Sequence, residues 1–219
     1  MERRSWSAKH IGKESIQPNR QCEVSWYQTH ATKSLELIRQ TGVDSSARII
    51  DVGGGASTLV DDLLADGFRD LTVLDISGAA LDTARQRLGA LKADDVTWRE
   101  DDVTQTNLPS HSFDLWHDRA VFHFLAAPEE RRRYVAIATC ALKPGGHLII
   151  AAFASDGPLR CSGLDVVRYS VEELRAEFTA FRLVESCGEE HSTPFGTKQK
   201  FIYCRCTKAS GESVVDGKS

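Results

Sequence analysis

A strand that ends in an acid and turns straight into glycines, Arg48-Ile49-Ile50-Asp51-Val52-Gly53-Gly54-Gly55-Ala56-Ser57, restricts the folds open to this chain more than any other stretch. Without a Cβ, glycine reaches positive φ and lets another group lie directly on the backbone. Three in a row after a strand predict a sharp strand-to-helix turn that can floor a ligand crevice. A second apolar strand, Leu71-Thr72-Val73-Leu74, ends in Asp75. That acid lies about twenty residues past the glycines, where ribose hydroxyls are met in a nucleotide-binding β-α-β unit.

The glycines are contiguous, unlike the G-x-G-x-x-G spacing that opens a helix N-terminus to a pyrophosphate, and Thr58 stands where a third glycine would fall. Asp51 is unhelpful beside a diphosphate. Beside an ammonium group at about 4 Å it gains roughly 1 to 4 kcal/mol, depending on exposure. The expected ligand is a nucleoside that carries a cationic amino acid.

With these residues in place, Asp51-Val52-Gly53-Gly54-Gly55 resembles the first motif of class I S-adenosylmethionine-dependent methyltransferases: acid, any residue, glycine, any residue, glycine. Asp102-Val103 resembles the position where an acid meets the adenine amino group. Leu108-Pro109-Ser110-His111-Ser112-Phe113-Asp114-Leu115 and Leu142-Lys143-Pro144-Gly145-Gly146-His147 resemble the approaches to the fourth and fifth strands. The resemblance covers roughly residues 45 to 155. It implies an α/β fold with a doubly wound, mostly parallel seven-stranded sheet and an antiparallel C-terminal strand hairpin. It also implies S-adenosyl-L-methionine as methyl donor and S-adenosyl-L-homocysteine as product. Asp51, Gly53 and Gly55 are then assigned to the methionine part, Asp75 to the ribose, and Asp102 and Val103 to the adenine. Gly54, Ile76 and His117 complete the expected donor set.

The chain's 219 residues suit one α/β domain, expected over residues 23–208, between an N-terminal arm (1–22) and a polar tail (209–219). The net charge of −4, with acids and bases interspersed, gives no nucleic-acid or membrane footprint. Six cysteines at irregular spacing do not form a secreted disulfide framework. Cytoplasmic residence is expected, with the basic N-terminus leaving organelle targeting as the alternative. Alternation of apolar runs predicts helix 25–41, strand 47–52, helix 56–66, strand 71–75, helix 78–89, strands 96–100 and 113–117, helix 128–142, strand 147–153, helix 171–179, and strands 181–187 and 200–206. Ser77 is a candidate helix cap, Pro128 fits a first turn, and Ser170 with Glu173 makes a capping box.

Methyl transfer from a sulfonium needs chiefly alignment, which supplies on the order of 7 to 11 kcal/mol. Catalytic residues are therefore harder to read than donor residues. The segment Leu115-Trp116-His117-Asp118-Arg119-Ala120-Val121-Phe122-His123-Phe124 inserts three polar residues into an apolar run. Burying such groups costs several kcal/mol unless they are paired. They are either a satisfied network, such as an Asp118-Arg119 ion pair, or a site. His117 and Asp118 are the catalytic candidates. Arg119 and His123 are acceptor candidates, together with Trp26, Tyr27 and His30 on the leading helix. The loop Ser155–Cys161 is a candidate acceptor rim. Asp118-Arg119-Ala120 resembles both the Asp-Arg of thiopurine and small-thiol methyltransferases and the Asp-Lys-Gly of methyltransferase-like protein lysine methyltransferases, and settles neither. Cys204 and Cys206 share one strand face and read as buried thiols rather than metal ligands.

The reading is thus an enzyme that methylates a small molecule. A protein lysine acceptor is the alternative, and a non-catalytic donor-binding partner subunit the second. The oligomeric state is open.

Overall fold

Both faces of the strand that feeds the glycine turn are buried: in β1 (Arg48–Val52) every residue after Arg48 is covered, the pattern of a strand inside a parallel sheet with helices on each side. This computed structural model describes residues 27–210. β2 (Asp70–Asp75), β3 (Val96–Glu100), β4 (Phe113–Arg119), β5 (Leu142–Phe153), β8 (Phe181–Ser192) and β9 (Lys198–Lys208) complete a sheet of order β3-β2-β1-β4-β5-β9-β8. The first five strands run parallel, and β9 runs antiparallel to both its neighbours, β5 and β8. β6 (Arg160–Cys161) and β7 (Leu164–Asp165) form a small separate hairpin.

Chain order reverses between β1 and β4, so their carboxyl ends splay into the crevice where open α/β sheets hold ligands. Period-two alternation sorts the core into two layers. Ile49, Leu115, Ile149 and Tyr203 face α1 (Thr32–Gln40) and α2 (Leu59–Ala65). Ile50, Trp116, Ile150 and Cys204 face α5 (Pro128–Ala141) and α6 (Val171–Glu177). Between these lie α3 (Gly78–Leu88) and the single-turn α4 (Ala90–Ala93). Ser77 caps α3 through Ala80 N at 3.3 Å, and Ser170 with Glu173 closes the expected box on α6.

Three sequence expectations are corrected. Within the described residues the leading helix begins at Thr32 rather than near residue 25, because the stretch before it is pinned across the start of α2. The Gln28 carbonyl accepts from Thr58 Oγ1 (3.1 Å), and Ala31 N donates to Asp62 (3.0 Å). β4 continues past residue 117 to Arg119, since its neighbours β1 and β5 keep pairing alongside it. β8 and β9 are longer than expected and meet at a turn where Thr193 and Thr197 bond one another. The N-terminal arm and most of the polar tail lie outside the described residues.

Candidate functional site

Across the carboxyl ends of β3, β2, β1 and β4 runs a cleft enclosing about 1390 Å³ of atom-free space, its open mouth included. Each strand end contributes in turn. β3 is followed by Asp101, Asp102 and Val103, β2 ends in Asp75 with Ile76 and Ser77, and β1 gives Asp51, Gly53 and Gly54. β4 adds His117, Arg119, Ala120 and Val121. Tyr27, Gln28, Ala31 and Ser34 form a wall from the leading segment, and Phe124, Cys161 and Ser162 close the far end.

The glycines serve the protein's own carboxylates. A Cβ on Gly54 would sit 2.3 Å from Asp51 Oδ2, and one on Gly55 would sit 2.5 Å from Asp75 Oδ2. Gly53, at φ +72°, would drive a Cβ to 2.0 Å from Val121 Cγ2. Gly55 therefore lies beneath the cleft, donating its N–H to Asp75 at 3.0 Å, and only Gly53 and Gly54 line it. The acids stand where side chains would otherwise be.

Asp75 also accepts from Ser77 N at 2.8 Å. Burial nevertheless pushes its carboxyl up to about 6, against the pull of those backbone donors. A carboxylate held this way gains from any further hydroxyl donor. Asp102 caps its own turn, accepting from Thr104 and Gln105. Its neighbour Asp101 is pushed up by burial, but Thr106 Oγ1 (2.6 Å) and Arg99 (3.3 Å) outweigh that and hold it below the usual carboxylate range.

Asp51 is 4% exposed. Its Oδ1 meets His117 Nδ1 at 2.7 Å, while Oδ2 is buried without a hydrogen-bond partner. His117 Nε2 meets Ser34 Oγ at 2.8 Å. Ser34 was not anticipated from the sequence. Its signal is its place with Leu37 and Ile38 at i, i+3, i+4 on the buried face of α1.

Asp118 is not in the cleft. β4 turns it to the other face, where it accepts from Tyr134 Oη (2.5 Å), Val121 N (2.9 Å) and Phe122 N (3.1 Å). It accepts from the backbone at the start of the 3₁₀ turn Phe122–Phe124, outside the cleft in which the sequence reading expects a catalytic Asp118. The Asp118-Arg119 ion pair does not form either, because adjacent strand residues point apart. Arg119 donates to Tyr203 Oη (3.0 Å), lies 3.6 Å from Glu189 and stacks on Phe201. Ala120, at φ +73°, makes the bend that sends the chain over the cleft.

His123 is fully buried against Phe124 and Phe153 and does not line the cleft. Burial, then the charge of Arg119, pulls its ring down to about 3. His30 is exposed and bound to Asp62 at 2.8 Å, outside the cleft. Neither of these two acceptor candidates lines the cleft. Trp26 lies outside the described residues, and Tyr27 does line the cleft. Cys161 packs in the α1–α2 layer of the core, whereas Cys204 and Cys206 pack in the α5–α6 layer. Among the described residues no group of His, Cys, Asp or Glu is arranged to hold a metal ion, and no helix is long and apolar enough to cross a membrane.

Residues 50–148 match the model of a methyltransferase domain. The chain is 26% identical over 123 residues to EEF1A lysine methyltransferase 2 of Danio rerio, covering 54% of this chain and 53% of that protein. It is 30% identical over 112 residues to the eEF1A lysine and N-terminal methyltransferase of Danio rerio, covering 50% and 16%. The chain thus spans about half the length of the first curated relative and much less of the second. Among solved structures it is similar to an S-adenosylmethionine-dependent methyltransferase of Methanosarcina mazei (TM-score 0.66, 18% identity, 78% of this chain and 97% of that one). It is also similar to the 1,6-didemethyltoxoflavin-N1-methyltransferase of Burkholderia thailandensis with bound 1,6-didemethyltoxoflavin and S-adenosylhomocysteine (TM-score 0.64, 22% identity, 82% of this chain and 77% of that one).

Proposed function

We propose that this chain, whose fold and matched domain are those of class I S-adenosylmethionine-dependent methyltransferases, moves a methyl group from S-adenosylmethionine to a small-molecule acceptor. The observation that carries the reading is the unpartnered Oδ2 of Asp51, buried at the glycine turn. A buried acceptor atom left bare costs about 1–3 kcal/mol. The ammonium of a methionine-like ligand would satisfy it. Asp75, pushed up to about 6 by burial, would take the ribose hydroxyls in the same way, and Asp102 with Val103 borders the adenine end.

When bound, the donor supplies a methyl already activated on a sulfonium. The chain's own part is to hold, align and exclude water. Asp51, Asp75 and the Gly53-Gly54 backbone fix the donor along the ends of β1 and β2. The leading segment and the Cys161-Ser162 hairpin wall the acceptor end, which supports a compact acceptor. Tyr27 and Arg119 flank that end. A protein lysine acceptor is the second reading, favoured by the names of the two curated relatives.

Calorimetry with S-adenosylmethionine tests the donor assignment. Asp75→Ala is expected to weaken binding about 10- to 100-fold, the worth of hydrogen bonds to a charged group. No binding at millimolar donor, or binding untouched by that substitution, overturns it. Incubating labelled donor with a size-fractionated cell extract separates the acceptor readings, and label confined to a protein band defeats the small-molecule one.

A further inference from the structure

Ser34, His117 and Asp51 stand in line, each nearly out of contact with solvent at 1, 3 and 4% exposure. Ser34 Oγ meets His117 Nε2 at 2.8 Å, and His117 Nδ1 meets Asp51 Oδ1 at 2.7 Å. Both ring nitrogens are engaged, so His117 can take a proton from a bound molecule only through Ser34. All three residues line the cleft.

The line is also well placed. On the reading above, the donor's adenine, ribose and methionine parts are spread over the ends of β3, β2 and β1. Its reacting end then falls at the boundary between β1 and β4, where Asp51 pairs in register with His117. From the leading helix Ser34 overhangs that boundary. β5 presents apolar Ile149 beside His117.

We propose that Ser34, His117 and Asp51 form a proton relay whose cleft-facing end is the Ser34 hydroxyl, and that the acceptor arrives with its proton on, as a hydroxyl or an amine. As the acceptor atom bonds to the methyl carbon and the carbon–sulfur bond breaks, the acceptor's proton passes to Ser34 Oγ. Ser34's own proton moves to His117 Nε2, and Asp51 stabilises the imidazolium. The same arrangement activates hydroxyls in acyl-transfer enzymes. Ser34 is then the residue that touches substrate, and His117 and Asp51 act through it. This inference rests on the methyl-transfer reading for its purpose but not for its test.

The test needs neither donor nor acceptor. Methanesulfonyl fluoride is a small electrophile that an activated serine attacks at sulfur, expelling fluoride while the serine's proton goes to the histidine. Intact mass and peptide mapping are expected to show one adduct, at Ser34, absent in Ser34→Ala and slowed at least about a hundredfold in His117→Gln. An anchoring role for Ser34 would give no adduct. Should His117→Gln not fold, as judged by circular dichroism, Asp51→Asn provides the same comparison. No adduct at Ser34, or an adduct formed at an undiminished rate without the imidazole or the carboxylate, overturns the relay. Failure of the wild-type chain to bind donor by calorimetry would instead sink the methyl-transfer reading and leave the adduct result standing.

Discussion

The donor end of the cleft and the last residues of β4 are both rich in polar residues, yet they use them in opposite ways. At the donor end Asp51, Asp75 and Asp102 lie far apart in the chain and converge, because each sits within two residues of the end of a parallel strand and those ends are level in the sheet. At the end of β4 the residues His117, Asp118 and Arg119 are consecutive and diverge. Alternation along the strand sends His117 and Arg119 to one face of the sheet, into the cleft lining, and Asp118 to the other, against Tyr134. Adjacency in sequence says little about adjacency in a site, and position relative to a strand's end says much.

The sharpest way to break this contrast is at the turn itself. Gly53→Ala must place a Cβ 2.0 Å from Val121 at a positive φ, so a loss on the order of 3–4 kcal/mol is expected. Chemical denaturation measures it, and a loss under about 1 kcal/mol would mean that the turn relaxes freely.

The next effect separates the two regions. Asp118→Ala removes the acceptor from the Tyr134 hydroxyl and from two backbone N–H groups, and should cost about 2–3 kcal/mol in stability. Donor affinity below the melting transition should remain within about twofold, since the residue faces away from the cleft. A collapse of donor affinity without loss of stability would return Asp118 to the site.

The smallest effect is a pH dependence confined to the donor end. Burial raises Asp75 above the usual carboxylate range to about 6. The ligand-free fold therefore keeps that proton below pH 6, and its contribution makes the fold more stable as pH falls through this window. Ribose hydroxyls need the ionised carboxylate, so donor affinity should drop about tenfold from about pH 7 to pH 5. Titration calorimetry at three pH values checks this, and Asp75→Asn should flatten the profile.

This contrast also explains what the sequence disclosed. Strand-ending acids, the glycine turn and the caps at Ser77 and Ser170 follow from local rules, and a parallel sheet covered by helices follows from the alternation of strands and helices. The start of α1 depended on side chains of α2, above all Asp62 and Thr58, which no local pattern reveals. The parting of Asp118 from Arg119 was legible in principle from strand periodicity, had β4 been extended two residues. Ser34 was hidden because an inward serine on an amphipathic helix looks like packing until its partner across the chain is known.

The spaces that Gly54 and Gly55 leave open are filled by Asp51 and Asp75, and this bears on how such a chain can evolve. Neither glycine can be replaced while its acid remains, yet each acid can be lost while its glycine stays. Drift toward a different ligand must therefore begin at the acids, and for some time the glycines would persist as a record of a function already gone. In a descendant, intact glycines would attest to ancestry, and intact acids to use.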